Sequence, residues 1–325
     1  MHGVKQRLVT VVCAVLLVGC SAGSSSSGSP STAASPTGSS RPSSTPADLD
    51  FEIGGDRPVD VHVPASYEAS SPSPLLIVLH GYGSTGSDHD AYFHLGDAAE
   101  RRGVITAYPD GTTDSTGRQF WNATDACCNF DGSSVDDSKY LLGVVAAIKA
   151  HVAVDPKRIY VMGHSNGGFM SYRTACDHAD VFAALISLAA ATFAHARDCK
   201  PTAPVSVLEI HGTADDDVNF DGGSVVGPVS PTPLPAYPGA KETVRTWAAY
   251  DGCDPAATNS PKRVDVDADV AAADDPSEAT IETWAGCRNG AAVELWTMQG
   301  GVHVPTISKA FPDAVLDFLL THPKP

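Results

Sequence analysis

Positive charge is the scarcest thing in this chain: 21 Lys and Arg stand against 38 Asp and Glu, for a formal net charge of -17. That balance argues against nucleic acid and anionic membrane surfaces as partners, and says nothing about fold. Metal-ligand spacing is missing too. No two cysteines stand as CxxC and none has a histidine at ligand spacing, so no metal site is expected. The alternating aspartates of DVDADV, counted from Asp265, put Val270 and Pro276 where a calcium loop needs Gly and Glu, which leaves a solvated acidic loop. Long apolar runs are absent as well; LVTVVCAVLLV near the start is too short to span a bilayer comfortably.

What stands at the start is a basic region with Lys5 and Arg7, that apolar run, and then small residues ending in LVGC, the layout of a secretory signal. LVGC resembles the lipobox of bacterial lipoproteins, which implies cleavage before Cys20 and a diacylglycerol on its sulfur. Residues 1–19 are then a signal peptide, and loss of Lys5 and Arg7 leaves the mature chain more acidic still. Residues 20–48 are nearly all Ser, Gly, Pro, Thr and Ala and cannot bury enough apolar surface to fold. They read as a flexible tether that, fully extended, reaches roughly 80–90 Å. The expected location is extracellular, with membrane contact only through the lipid at Cys20.

From Leu49 the composition becomes globular, and 49–325 suits one large α/β domain, expected to act as a monomer. Continuous apolar strands (PLLIVLHG, RIYVMGHS, VSVLEIHG) alternate with helical stretches (DAYFHLGDAAERRG stopped by Gly103, DSKYLLGVVAAIKAHV capped at Asp137, AKETVRTWAAYDG). Such alternation means a mostly parallel sheet covered by helices on both faces, with reactive residues on loops at the carboxyl ends of strands. Of eight cysteines, Cys13 leaves with the signal and Cys20 takes the lipid. Cys127, Cys128, Cys176, Cys199, Cys253 and Cys287 remain, an even count that favours three disulfides in an exported protein. Cys253 with Cys287 is the preferred pair, with Cys176 and Cys199 left for the neighbours Cys127 and Cys128.

Gly163-His164-Ser165-Asn166-Gly167 fits G-x-S-x-G between a strand and a helix, the setting of a nucleophile elbow. A serine hydroxyl needs a base to take its proton and a carboxylate to orient that base. In the chain order Ser, acid, His, the loop IHGTADDDV offers Asp215, Asp216 and Asp217, and MQGGVHVPT offers His303. His80, His164 and His211 read as hydrogen-bonded structural residues, and His322 lies in the terminal helix. The oxyanion hole falls to backbone N–H groups of Asn166, after the nucleophile, and Tyr82 in HGYG. The Pro-rich segment 222–239 emerges at the catalytic edge and is a candidate lid. Trp121 either lines the acyl site or anchors the cysteine loop, and Asn122-Ala123-Thr124 fits the glycosylation pattern but is expected bare.

LHGYGS, YPDGT, FWNATDACC, VDD, GHSNGGFMSY, HGTADDDV and QGGVHVP, in that order, resemble the exported poly(3-hydroxybutyrate) depolymerase and feruloyl esterase-like α/β-hydrolases, a group related to carbohydrate esterase family 1. The resemblance covers most of residues 51–321. It implies an α/β-hydrolase fold and a serine esterase that needs no cofactor. Its substrates would be feruloyl or acetyl esters of polysaccharide, or poly(3-hydroxyalkanoate)-type polyesters. It also implies that the acid is the residue ending H-G-T-x-D, here Asp215. The family's histidine motif carries a Trp before Pro, which Gly301-Val302-His303-Val304-Pro305 lacks, so the usual acyl-pocket contacts are not expected unchanged. A non-catalytic carbohydrate- or polyester-binding lipoprotein on a hydrolase scaffold is the competing expectation; it would be favoured by a missing triad member, and none is missing.

Overall fold

The computed structural model describes residues 49–227, 233–270 and 277–325, which fall in one unit, Pro46–Pro325. The readings of 1–19 and 20–48, with Cys20, lie outside the described residues, as do 228–232 of the candidate lid and Pro276.

The chain opens with β1 (Phe51–Ile53) and β2 (Val59–His62), then β3 (Ser73–Leu79), α1 (Gly86–Phe93), α2 (Gly96–Arg102) and β4 (Ile105–Ala107). A short ribbon of β5 (Thr112–Thr113) and β6 (Gln119–Phe120) precedes α3 (Asp137–His151), β7 (Val154–His164), α4 (Asn166–Asp177), β8 (Ala184–Leu188) and β9 (Ser206–Gly212). A second ribbon, β10 (Gly222–Gly223) with β11 (Tyr237–Pro238), leads to α5 (Ala240–Tyr250), β12 (Ala257–Val264), β13 (Ala279–Trp284), β14 (Val293–Met298) and α6 (Phe311–Thr321). The main sheet has the order β1-β2-β4-β3-β7-β8-β9-β14-β13-β12. It is parallel from β4 to β14 and antiparallel at both margins.

Alternation along β3 explains the layering. Leu75, Ile77 and Leu79 face a core shared with Phe169, Tyr172 and Trp247 of α4 and α5, while Leu76 and Val78 face Phe93, Phe311 and Leu316 of α1 and α6. All seven residues of β3 are buried, as expected of a strand covered on both faces.

Three local expectations change. The stretch expected as one helix before Gly103 is two, because His94 takes a left-handed conformation (φ 53°) after α1; Gly103 does cap the second. The N-cap of α3 is Asp136, whose carboxylate accepts from Lys139 N–H. Asp137 is occupied elsewhere: its buried carboxylate takes Arg57 Nη1 at 2.9 Å and Asn122 N–H at 2.8 Å. The disulfides are Cys127–Cys128, Cys176–Cys199 and Cys253–Cys287, so only the last matches the expected pairing. Distance along α4 is the reason. Cys127 Sγ meets Asn166 at the helix start, whereas Cys176 stands ten residues further on, about 15 Å away along the axis and beyond disulfide reach. Cys199 lies across from Cys176 with a Cα separation of 5.7 Å.

Candidate active site

Ser165 stands between β7 and α4 with φ 54° and ψ -122°, a strained conformation for a residue with a side chain. The flanking glycines explain how the bend is tolerated. A Cβ on Gly163 would lie 2.2 Å from the Gly167 carbonyl oxygen, and one on Gly167 would lie 2.3 Å from that of Leu79. The bend is tied down by Ser165 N–H donating to the Leu188 carbonyl at 2.8 Å.

Three strand-end loops converge there. His303 follows β14, and its Nε2 is 2.9 Å from Ser165 Oγ; its Nδ1 is 2.9 Å from Asp215 Oδ2 on the loop after β9. Asp215 Oδ1 accepts from the N–H groups of Asp217 (3.0 Å) and Val218 (2.8 Å). Burial works against its charge, but hydrogen bonds from His211 and His303 outweigh it and hold the carboxyl well below the usual range. Asp216 and Asp217 are exposed on the rim. The structure therefore brings together Ser165, Asp215 and His303, and leaves the other two aspartates out.

The other histidines are hydrogen-bonded in the core. His80 Nδ1 donates to the Gly81 carbonyl at 2.7 Å and its Nε2 accepts Gly111 N–H at 2.8 Å. His164 Nε2 donates to the His303 carbonyl at 2.8 Å and its ring stands 5.0 Å from that of His303. Burial, together with the neighbouring His303 and His89, drives the His164 imidazole well toward its neutral form. His322, half-buried at the end of α6, donates from Nδ1 to the Phe318 carbonyl.

Tyr82 N–H has no acceptor among the described residues, while the flanking Gly81 and Gly83 N–H groups are taken by His89 Nε2 and the Gln119 carbonyl. Asn166 N–H is the first of α4, one of the helix-end donors without an intrahelical partner. Its side chain was not anticipated: Oδ1 accepts Trp121 N–H at 2.7 Å and Nδ2 donates to the Trp121 carbonyl at 3.0 Å. Trp121 is fully buried and its indole N–H bonds the His80 carbonyl, so it anchors the cysteine loop and does not line the cleft. Asn122 Nδ2 is engaged by the Val135 carbonyl.

The cleft above Ser165 has a volume of ≈ 810 Å³. One wall holds Tyr82, Phe130, Arg118 and the Cys127–Cys128 disulfide; Val225 and Val226, from the described part of the candidate lid, and Val304 contribute apolar lips. Tyr82 and Phe130 meet edge to face at 5.2 Å, and the Tyr82 hydroxyl donates to Asp114. Among the described residues no cluster of His, Cys, Asp and Glu is arranged to hold a metal ion.

Comparison with known proteins agrees with this geometry. The chain is 32% identical over 267 residues to a feruloyl esterase B of Piromyces equi, covering 81% of this chain. It is 31% identical over 235 residues to the "Putative esterase NocK" of Nocardia uniformis subsp. tsuyamanensis, covering 71% of this chain. The chain has the α/β-hydrolase fold and is similar in sequence to feruloyl esterases. It spans 46% and 64% of the lengths of those two relatives. Among solved structures, an acetyl xylan esterase from Aspergillus awamori superposes with a TM-score of 0.55 at 15% identity, over 83% of this chain and 98% of that chain, which speaks for the fold alone. The prolyl oligopeptidase family matches residues 96–204, a span that holds the Ser165 elbow but neither Asp215 nor His303.

Proposed function

We propose that this protein is a serine carboxylic ester hydrolase working through an acyl-enzyme. The observation that carries the reading is the pair of 2.9 Å contacts linking Ser165 Oγ, His303 and Asp215. His303 Nε2 takes the hydroxyl proton as Ser165 attacks the ester carbonyl, and returns it to the leaving alcohol. Asp215 holds the tautomer with the proton on Nδ1 and offsets the imidazolium charge. The N–H groups of Tyr82 and Asn166 receive the oxyanion, and each such donor contributes about 3–4 kcal/mol to the transition state. Water then repeats the sequence on the acyl-enzyme.

Feruloyl or acetyl esters of polysaccharide are the preferred substrates, on the strength of the relatives and of a cleft with room for more than an acetyl group; polyester chains come next. The test is a panel of p-nitrophenyl esters, methyl ferulate, acetylated xylan and polyhydroxybutyrate with the wild type and Ser165→Ala. The variant should lose hydrolysis and labelling by a serine-directed phosphonate together. A Ser165→Ala protein that turns over p-nitrophenyl acetate near the wild-type rate sinks the assignment. The prolyl oligopeptidase match favours a peptidase as second reading, and a peptide p-nitroanilide cleaved in preference to every ester would select it. A binding protein without activity would leave the whole panel untouched.

Export and anchoring are part of the same proposal: signal 1–19, lipid on Cys20, and a tether over 20–48. Three disulfides suit an oxidising location. Two acyl chains hold a protein to a bilayer firmly where one does not. The enzyme should fractionate with membranes, and Cys20→Ala should release it or leave the precursor uncleaved. A mature N-terminus elsewhere than Cys20, on enzyme found wholly in the medium, removes the anchor and leaves the esterase reading standing.

A further inference from the structure

Asp215 is approached by a second histidine that the mechanism above does not use. His211, at the end of β9, is buried with its Nε2 2.7 Å from the Val218 carbonyl and 3.4 Å from Asp215 Oδ2, the same oxygen that accepts from His303. A carbonyl can only accept, so Nε2 carries a proton. Its Nδ1 is 2.9 Å from Oε1 of Glu209, a carboxylate with no exposure at all. Glu209 is itself held by the Tyr172 hydroxyl at 2.8 Å and by Ala190 N–H at 3.4 Å. Two residues apart in an extended strand, Glu209 and His211 project to the same face, under the acid loop.

We propose that His211 is a positioning residue of the hydrolytic site: it holds Asp215 at Oδ2, the oxygen shared with His303, and, paired with Glu209, places a positive charge beside the triad carboxylate. The proposal rests on the esterase reading. The charged groups facing His211 are Glu209 on its own strand and Asp215 on the loop after it; Tyr172 of α4 and His303 of the loop after β14 act one contact further away. Burial disfavours a charged imidazole, but the hydrogen bonds that His211 donates to Asp215 and Glu209 prevail and push it up to about 10, so it is protonated through the working range.

The two consequences are separable. His211 ties the Val218 carbonyl and Asp215 into one loop geometry, so its loss loosens the acid. Its charge also balances that of Asp215. Without it more negative charge faces the base, which must be neutral to accept the serine proton. The acid limb of the kcat/KM profile then moves to higher pH, by about one unit for a charge removed at this range. A loop that is merely loosened weakens the contact of the carboxylate with the base and moves that limb down or not at all.

The experiment measures kcat and kcat/KM for p-nitrophenyl acetate from pH 4 to 9 in the wild type, His211→Gln and Glu209→Gln. Expected is a kcat about tenfold lower in His211→Gln at unchanged KM, in keeping with slight misplacement of a catalytic group, with the acid limb shifted upward. Glu209→Gln keeps shape and the Tyr172 contact but removes one of the two carboxylates that hold the proton on His211. It should shift the limb in the same direction by less, and remains informative if His211→Gln fails to fold. An active wild type whose acid limb is unmoved or lowered in the folded variants overturns the role of His211 and leaves the esterase reading intact. A wild type inactive on every ester overturns both.

Discussion

Asp215, on the loop after β9, and Asp251, at the end of α5, are both carboxylates withdrawn from water, and their surroundings push their ionisation in opposite directions. Asp215 receives two backbone N–H groups and two imidazoles. Asp251 receives Val205 N–H at 3.2 Å on Oδ1, and its Oδ2 has no hydrogen-bond partner among the described residues. Desolvation therefore wins at Asp251, against weaker help from Val205, Arg288 and Lys324, and pushes it up to about 7. Burial alone does not decide whether an acid is charged; the number of donors aimed at it does. The α5 end serves packing, whereas the acid loop is organised around keeping one negative charge in place.

The largest effect that could break this contrast comes from Asp215→Asn. An amide keeps the shape but presents the wrong partner to His303 Nδ1–H, and the corresponding change in a serine protease lowers kcat about 10⁴-fold. The loss should appear in steady-state hydrolysis of p-nitrophenyl acetate with little change in the thermal midpoint. A loss of tenfold or less would mean that the carboxylate at 2.9 Å from His303 does not orient the base.

At Asp251 the expected effect is on stability. Its folded-state value lies above the unfolded 3.8, so between pH 4 and 7 the native state holds a proton that the unfolded state has released. Stability from this group is present at low pH and lost as pH rises through about 7. Asp251→Asn removes that dependence. Urea unfolding at pH 5 and pH 8 should show the variant gaining about 2–3 kcal/mol on the wild type between the two, below the about 4 that three full units would give. A pH-independent difference would mean that Asp251 is ionised in the native state.

How much of this could be read beforehand follows the physics of each element. PLLIVLHG, RIYVMGHS and VSVLEIHG carry apolar runs, so β3, β7 and β9 were legible. The polar β12, ATNSPKRV with a proline, was not, because an exposed edge strand needs no apolar alternation. Ser165 was legible because its bend demands glycines at fixed offsets. Asp215 was not separable from Asp216 and Asp217 by chain order and needed the H-G-T-x-D resemblance. Cysteine pairing depended on positions along α4 that spacing does not encode. His211 was taken as structural, yet a signal existed: Glu209 and His211 are same-face polar residues inside an otherwise apolar strand, which calls for a partner.

Asp217 offers the smallest and sharpest test of that acid loop. Its carboxylate is exposed at the rim of the cleft, and its contribution to Asp215 comes through the backbone, where its N–H donates to Oδ1 at 3.0 Å. A change confined to the side chain leaves that donor in place, so Asp217→Asn should alter kcat by no more than about twofold, as surface changes away from special features do. Asp217→Pro removes the N–H and should lower kcat clearly more, since a carboxylate stripped of one of its buried donors holds its charge and direction less well. The pair is best measured side by side on p-nitrophenyl acetate with thermal melts as a folding control. If Asp217→Asn proved the more damaging of the two, the acid would have been assigned two residues out of register.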